Sequence, residues 1–177
     1  MSQDFIQTFT GKQFWPLDPR PEDICIEDIA HALSNICRFN GHVRQFYSVA
    51  EHSVFVSICV PVQHRLAALL HDAPEAYLCD LPRPIKHNVV GYAHAEHKVA
   101  LAVAQKFGLS EELPGCVKDA DTKILLDERE MFMTPTEHDW ELDAEPLGVT
   151  LRGWAPREAE AAFLEVYYTL ASEVHRV

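Results

Sequence analysis

Four side chains carry donor atoms suited to a metal ion and sit where apolar residues belong: His52, His71, Asp72 and Asp121. His52 precedes Phe55 and Val56 by three and four residues, which puts it on the apolar face of its helix. Asp121 lies at helical spacing from Val117, Ile124 and Leu125, so it is expected to face the core. His71 and Asp72 are adjacent, about 100° apart on a helix, and can reach one ion in a corner between helices. A lone buried carboxylate is costly unless it is paired or ligates a cation. Two imidazoles and two carboxylates converging in a helical core make a mixed nitrogen–oxygen site for a divalent transition metal. Taken singly, each has a plainer reading. His52 is then a satisfied core histidine, His71-Asp72 a common dipeptide, and Asp121 the partner of a lysine such as Lys118. The conjunction favours the metal.

The elements that must position these residues are mostly helical. Phe5-Ile6 and Phe14-Trp15 flank Thr10-Gly11-Lys12, which predicts a short hairpin, closed off by Pro16, Pro19 and Pro21. Ile26, Ile29, Ala30, Leu33, Ile36 and Cys37 share one face of a first helix. Ser48-Val49-Ala50-Glu51 reads as a capping box opening a second helix that Pro61 ends. Residues 63–73 are expected to form a third, with a short helical turn through Glu75-Ala76-Tyr77 after Pro74. Further helices are predicted over 92–107, stopped by Gly108, and over 115–133. Residues 134–154 read as a loop, and its acidic run (Glu137, Asp139, Glu141, Asp143, Glu145) as a solvated, mobile connection. Pro156 starts a last helix with the stripe Ala159, Phe163, Val166, Tyr167, Leu170 and Val174. The expected fold is all-α, a helical bundle in one domain over 1–177 with a short N-terminal β-hairpin.

Composition narrows the function further. The 177 residues carry a net charge of −12, which disfavours nucleic-acid polymers and anionic membrane surfaces. Hydrophobic content of 47% and charged content of 24% suit a folded globular chain. Five scattered cysteines (Cys25, Cys37, Cys59, Cys79, Cys116) form no C-x-x-C pair and read as small buried hydrophobes in a reducing compartment. With no signal-peptide pattern and no long apolar run, the expected location is the cytoplasm.

The order His…His-Asp…Asp resembles the HD-domain metal-dependent phosphohydrolases. The string from Leu70-His71-Asp72-Ala73-Pro74-Glu75-Ala76 through Cys79-Asp80-Leu81-Pro82-Arg83-Pro84-Ile85-Lys86 is similar to their bacterial 5′-deoxynucleotidase branch, prophage-type members included. Ala50-Glu51-His52-Ser53 and Lys118-Asp119-Ala120-Asp121 resemble that family's first and last ligand segments. The resemblance implies His52, His71, Asp72 and Asp121 as ligands of one divalent transition metal (Co, Mn, Zn, Fe or Ni). It implies Glu75 as the residue that orients or deprotonates water, and Asp80 as an assisting acid. It implies Arg38 as a nucleotide-holding arginine, with Arg44 as the rival, and Lys86 as a phosphate contact. The partners it implies are a small-molecule nucleotide and further copies of the chain in a homo-oligomer, with no nucleic acid and no membrane.

The chemistry is coherent by itself. Phosphomonoester hydrolysis is very slow uncatalysed, so it needs charge neutralisation and a good nucleophile. Glu75 can take a proton from water and Asp80, if protonated, can give one to the departing 5′ oxygen. Arg38 and Lys86 supply cations for the phosphate dianion. The expected reaction is 5′-nucleotidase action on a deoxynucleoside monophosphate. Its rivals are a deoxynucleoside triphosphohydrolase on the same site, a di-iron HD oxygenase, and a non-catalytic nucleotide sensor. His94 and His97, three apart on one helix, could chelate a second metal. His42 is a candidate for the pocket rim. His31, His64, His87, His138 and His175 read as surface or capping residues. Phe39, Phe46 and Tyr47 are candidates for the wall of a base pocket, with core packing as the alternative.

Overall fold

The computed structural model describes residues 4–138 and 140–174, with side chains as far as Glu173. Asp139, His175 and the side chain of Val174 lie outside the described residues. The fold is all-α with one small hairpin. Strands β1 (Ile6–Gln7) and β2 (Gln13–Phe14) pair antiparallel, Ile6 opposite Phe14 and Gln7 opposite Gln13. Gly11, at φ 84°, makes the turn. Asp28 docks the hairpin on the first helix. Its carboxylate accepts from the Thr10 amide at 2.7 Å, the Thr10 hydroxyl at 2.9 Å and the Cys25 thiol at 2.9 Å. All five cysteines are free and none is fully buried; Cys79 is exposed, so the expectation of five buried thiols does not hold.

Eight α-helices follow among the described residues: α1 (Ile26–Asn35), α2 (Val49–Ile58), α3 (Arg65–Leu69), α4 (Glu75–Leu78), α5 (Arg83–Lys86), α6 (Tyr92–Phe107), α7 (Gly115–Phe132) and α8 (Pro156–Val174). Helix α2 is the axis of the molecule. Every residue from Val49 to Ser57 is buried, and α1, α3, α7 and α8 all pack on it. Its polar residues Glu51, His52, Ser53 and Ser57 are buried along with its apolar ones, so from Val49 to Ser57 the helix has no solvent face and its polar groups must find partners inside the protein. Two apolar clusters meet at it. One joins the hairpin, α1, α3, α4, α6 and α8; the other joins α7 with segments 43–47 and 147–154.

Three local departures from expectation matter for the site. Helix α3 ends at Leu69, so His71 and Asp72 sit on a turn and not on a continuous helix over 63–73. Pro74 explains this, because it has no N–H for the Leu70 carbonyl and its ring crowds that carbonyl. Helix α1 ends at Asn35, and Ile36 and Cys37 leave it; Cys37 pairs across to Ser48 in an isolated bridge. The capping box is half made. The Ser48 hydroxyl accepts from the Glu51 amide at 3.1 Å, but the Glu51 carboxylate turns away from Ser48. It accepts instead from the amides of Arg152, Gly153 and Trp154 at 2.7, 2.9 and 2.6 Å. Glu51 thereby ties the end of the 134–154 loop to the central helix, and Asp127 ties its middle by accepting from Leu147 and Val149.

Candidate metal centre and adjoining cavities

His52 projects from the middle of α2, His71 and Asp72 from the turn after α3, and Asp121 from the second turn of α7. The fold brings all four together. His52 Nε2 stands 3.3 Å from His71 Nε2, 3.5 Å from an Asp72 oxygen and 3.2 Å from an Asp121 oxygen. His71 Nε2 stands 3.2 Å from the Asp72 oxygen and 3.8 Å from the Asp121 oxygen. Donors that share one ion at about 2.1 Å are separated by about 3.0–4.2 Å, the range seen here. His52, His71 and Asp72 form a group able to hold a metal ion, and Asp121 approaches it from the opposite helix. Asp121 is about one-third exposed at the mouth of the cavities, not in the core, and Lys118 is exposed.

The outer ring nitrogens fix what the inner ones can do. His71 Nδ1 donates to the Ala68 carbonyl at 2.7 Å. His52 Nδ1 donates to Glu128 at 2.7 Å. With both Nδ1 atoms protonated as donors, both Nε2 atoms present lone pairs to each other and to two carboxylates. Four acceptors in contact repel unless a cation or a proton lies among them. This is the arrangement by which second partners orient metal-ligating histidines.

The electrostatics agree. Burial pulls the His52 and His71 pKa values down. The neighbouring carboxylates outweigh it: Glu128 and Asp121 raise His52 and, with Asp72 foremost, the site raises His71 well above the ordinary value. Burial opposes the charge on Asp72, yet His71 and His52 hold it down to about 2; Asp121 is lowered further by the same two rings. Glu75 is pushed up to about 10, chiefly by burial and then by Asp72 and Asp80, and Asp80 is raised by burial. One Glu75 oxygen is buried without a partner.

Two cavities open at this centre. The first, about 630 Å³, is lined by the charged side chains of Asp72, Glu75, Asp80, Arg38, Arg83, Lys86 and Asp121. Phe39, Leu81, Leu125, Trp140 and Leu142 add apolar wall, with Phe39 beside Trp140 and Arg38 over the Phe39 ring. The second, about 860 Å³, lies between α3, α6 and the 108–115 segment and shares Asp72, Glu75, Lys86 and Asp121 with the first. Strained backbone frames the first cavity. Phe39 (φ 54°), Asn40 (φ 52°) and Cys79 (φ 65°), none of them glycine, occupy left-handed conformations.

Of the sequence candidates, His52, His71, Asp72, Asp121, Glu75, Asp80, Arg38 and Lys86 converge here. Lys86 also pairs with Glu96 of α6. Arg44 does not line either cavity. Its guanidinium donates to the Glu130 and Met131 carbonyls and caps the end of α7, where a cation suits the helix dipole. His42 is exposed and away from both cavities, while His87 and His64, read as surface residues, each line one. His97 lines the second cavity, and His94 is exposed; among the described residues they form no metal-holding group. Of the three aromatic candidates only Phe39 walls the cavity. Tyr47 is buried, stacked on Phe132 and bonded to Glu128. The acidic loop is more than a solvated connection. Its Trp140 and Leu142 line the cavity, with Arg129 over the Trp140 ring and bonded to the His138 carbonyl.

Sequence reasoning missed Glu128, Arg83 and Trp140. Glu128 follows Asp121 by seven residues on the same helix, so a second carboxylate in phase with a suspected ligand was the available signal. Trp140 gave none, since it stands in a segment without period.

No family model matches the chain. It is 46% identical over 125 residues to the uncharacterized protein YfdR of Escherichia coli (strain K12), covering 71% of this chain and 70% of that one. It is 36% identical over 190 aligned residues to the uncharacterized protein RCAP_rcc00048 of Rhodobacter capsulatus, covering 96% and 97%.

Proposed function

The chain belongs to the family of YfdR and RCAP_rcc00048, and we propose that it is an HD-type phosphohydrolase that uses one divalent transition metal to release phosphate from nucleotides, deoxynucleoside 5′-monophosphates foremost. The observation that carries the reading is the convergence of two oriented imidazoles and two carboxylates beside a cavity lined by both cations and apolar rings. His52, His71, Asp72 and Asp121 would hold the ion. Bound there, it supplies positive charge to phosphoryl oxygens and acidifies water.

The chain's own residues do the rest. Arg38, Arg83 and Lys86 give three cations to the cavity wall, enough to hold a phosphate dianion on a protein of net charge −12. Phe39, Trp140 and the leucines offer apolar wall to a nucleobase. Glu75 and Asp80 both line the same cavity. Each holds a proton more tightly than an ordinary carboxyl, so Asp80 can give one to the leaving 5′ oxygen, and Glu75 can take one from water once it has given up its own. Assay of free orthophosphate from deoxynucleoside monophosphates with added Mn²⁺ or Co²⁺ tests the reading. Tripolyphosphate from a triphosphate, without orthophosphate from a monophosphate, would replace it with the triphosphohydrolase.

A further inference from the structure

The Glu128 carboxylate is fully buried, and two of its three side-chain partners, His52 and Arg38, belong to the site. One oxygen accepts from His52 Nδ1 at 2.7 Å and from the Tyr47 hydroxyl at 2.9 Å. The other accepts from the Arg38 guanidinium at 3.1 Å. Arg38 in turn lines the first cavity and stands 3.8 Å from Asp72. The carboxylate therefore lies behind both functions of the cavity. On one side it sets the tautomer and ring angle of the histidine whose Nε2 faces the metal centre. On the other it holds a cation of the cavity wall. Without Glu128, His52 loses the acceptor that keeps Nε2 unprotonated, and Arg38 is free to swing onto Asp72, the nearest remaining carboxylate, and compete with the ion.

We propose that Glu128 is a positioning residue that couples the metal centre to the cationic wall of the cavity, with a single carboxylate orienting His52 as a ligand and Arg38 as a phosphate donor. The proposal rests on the phosphohydrolase reading for its phosphate half, while its metal half stands on the geometry alone. A buried acid with only a structural role would affect folding and leave the affinities of the folded protein unchanged. A positioning residue weakens both bindings together.

The test uses the full chain and two probes, Co²⁺ and inorganic phosphate, titrated calorimetrically into wild type and Glu128→Gln, with folding checked by circular dichroism. The amide keeps the volume and removes the charge that Arg38 and His52 share. Loss of such an outer partner typically lowers metal affinity about 10- to 100-fold, and that loss is expected for Co²⁺. Phosphate affinity of the Co²⁺-saturated protein should fall about tenfold, as for a charge-assisted pair that loses its anchor. Wild-type affinities for both probes in the folded variant overturn the proposal, as does loss of Co²⁺ affinity with phosphate affinity intact. If Glu128→Gln does not fold, Glu128→Asp, which keeps the charge and shortens the reach, is measured against the same expectations. Neither probe needs turnover. An inactive wild type whose affinities still respond to position 128 therefore sinks the hydrolase reading and leaves the coupling standing.

Discussion

Raising the pH should move the ion-free and ion-loaded proteins in opposite directions. In the ion-free protein His52 and His71 have raised pKa values because two carboxylates and Glu128 face them. The stability they contribute is complete below the unfolded value of about 6.5 and is lost as pH rises through the folded values. Glu75 acts in the same sense, since its folded pKa near 10 lies above the unfolded 4.5 and buried ionisation is costly. Asp72, lowered to about 2, and Asp121 contribute stability that is lost only in acid, so they leave the neutral range unchanged. The ion-free Tm should therefore fall from about pH 6 to about pH 8. A divalent ion needs the same imidazoles neutral, so its affinity rises over that range. At one fixed free concentration, one hundred times the Kd at the lower pH, the ion adds about 2.7 kcal/mol there. For a chain of this length each kcal/mol moves Tm by about 2–4 °C, so the increment is about 5–11 °C. Differential scanning calorimetry of chelator-treated protein, with and without Co²⁺ at both pH values, reads it directly. The increment should be larger at the higher pH and absent in Asp121→Asn. An increment that shrinks with pH, or one that survives in Asp121→Asn, refutes the assignment of these four side chains to one ion.

Glu75→Gln should retain Co²⁺, measured by metal analysis of the purified protein, while turnover drops about 10²- to 10⁴-fold as expected for loss of a proton-transfer group; full activity removes Glu75 from the mechanism. Glu51→Ala leaves three backbone amides without their acceptor. At about 1–3 kcal/mol each it should destabilise by at least about 3 kcal/mol in urea unfolding, and a loss under about 1 kcal/mol contradicts the role given to Glu51. Cys79, at φ 65° and ψ 159°, stores about 1–3 kcal/mol of backbone strain that glycine relieves. Cys79→Gly should therefore have a Tm no lower than wild type, with slower turnover because Asp80 follows directly on a looser backbone.

What the sequence disclosed and what it hid have physical reasons. Helix α6 was legible to the residue. Its alanine-rich amphipathic pattern runs from Tyr92 to Phe107, and Gly108 at φ 66° ends it in the left-handed conformation. His52 was legible because a histidine on an apolar helical face is an exception that demands a partner, whereas His71 and Asp72 lie on a turn and Asp121 is partly exposed, so a buried helical face was the wrong reason for reaching them. The reach of α3 was overestimated because periodicity continues through Leu70, whereas Pro74 unwinds the turn before it. The boundary shift places His71 and Asp72 side by side on the wall of the second cavity. Glu128 stayed hidden because its partners lie 76, 81 and 90 residues away, and nothing local announces them. The resemblance favours Arg38 with Arg44 as its rival, and the structure separates them: the bridge from Cys37 to Ser48 brings Arg38 inward beside Tyr47, while Arg44 caps the end of α7.

Phosphorus NMR of the 177-residue chain with deoxyadenosine 5′-monophosphate and diamagnetic Zn²⁺ tests the central claim most directly. The account predicts that the orthophosphate signal grows at the expense of the monoester, that chelation stops it, and that His71→Ala abolishes it. The absence of orthophosphate from every deoxynucleoside monophosphate offered, with Mn²⁺, Co²⁺ or Zn²⁺ present and shown to bind, would contradict it.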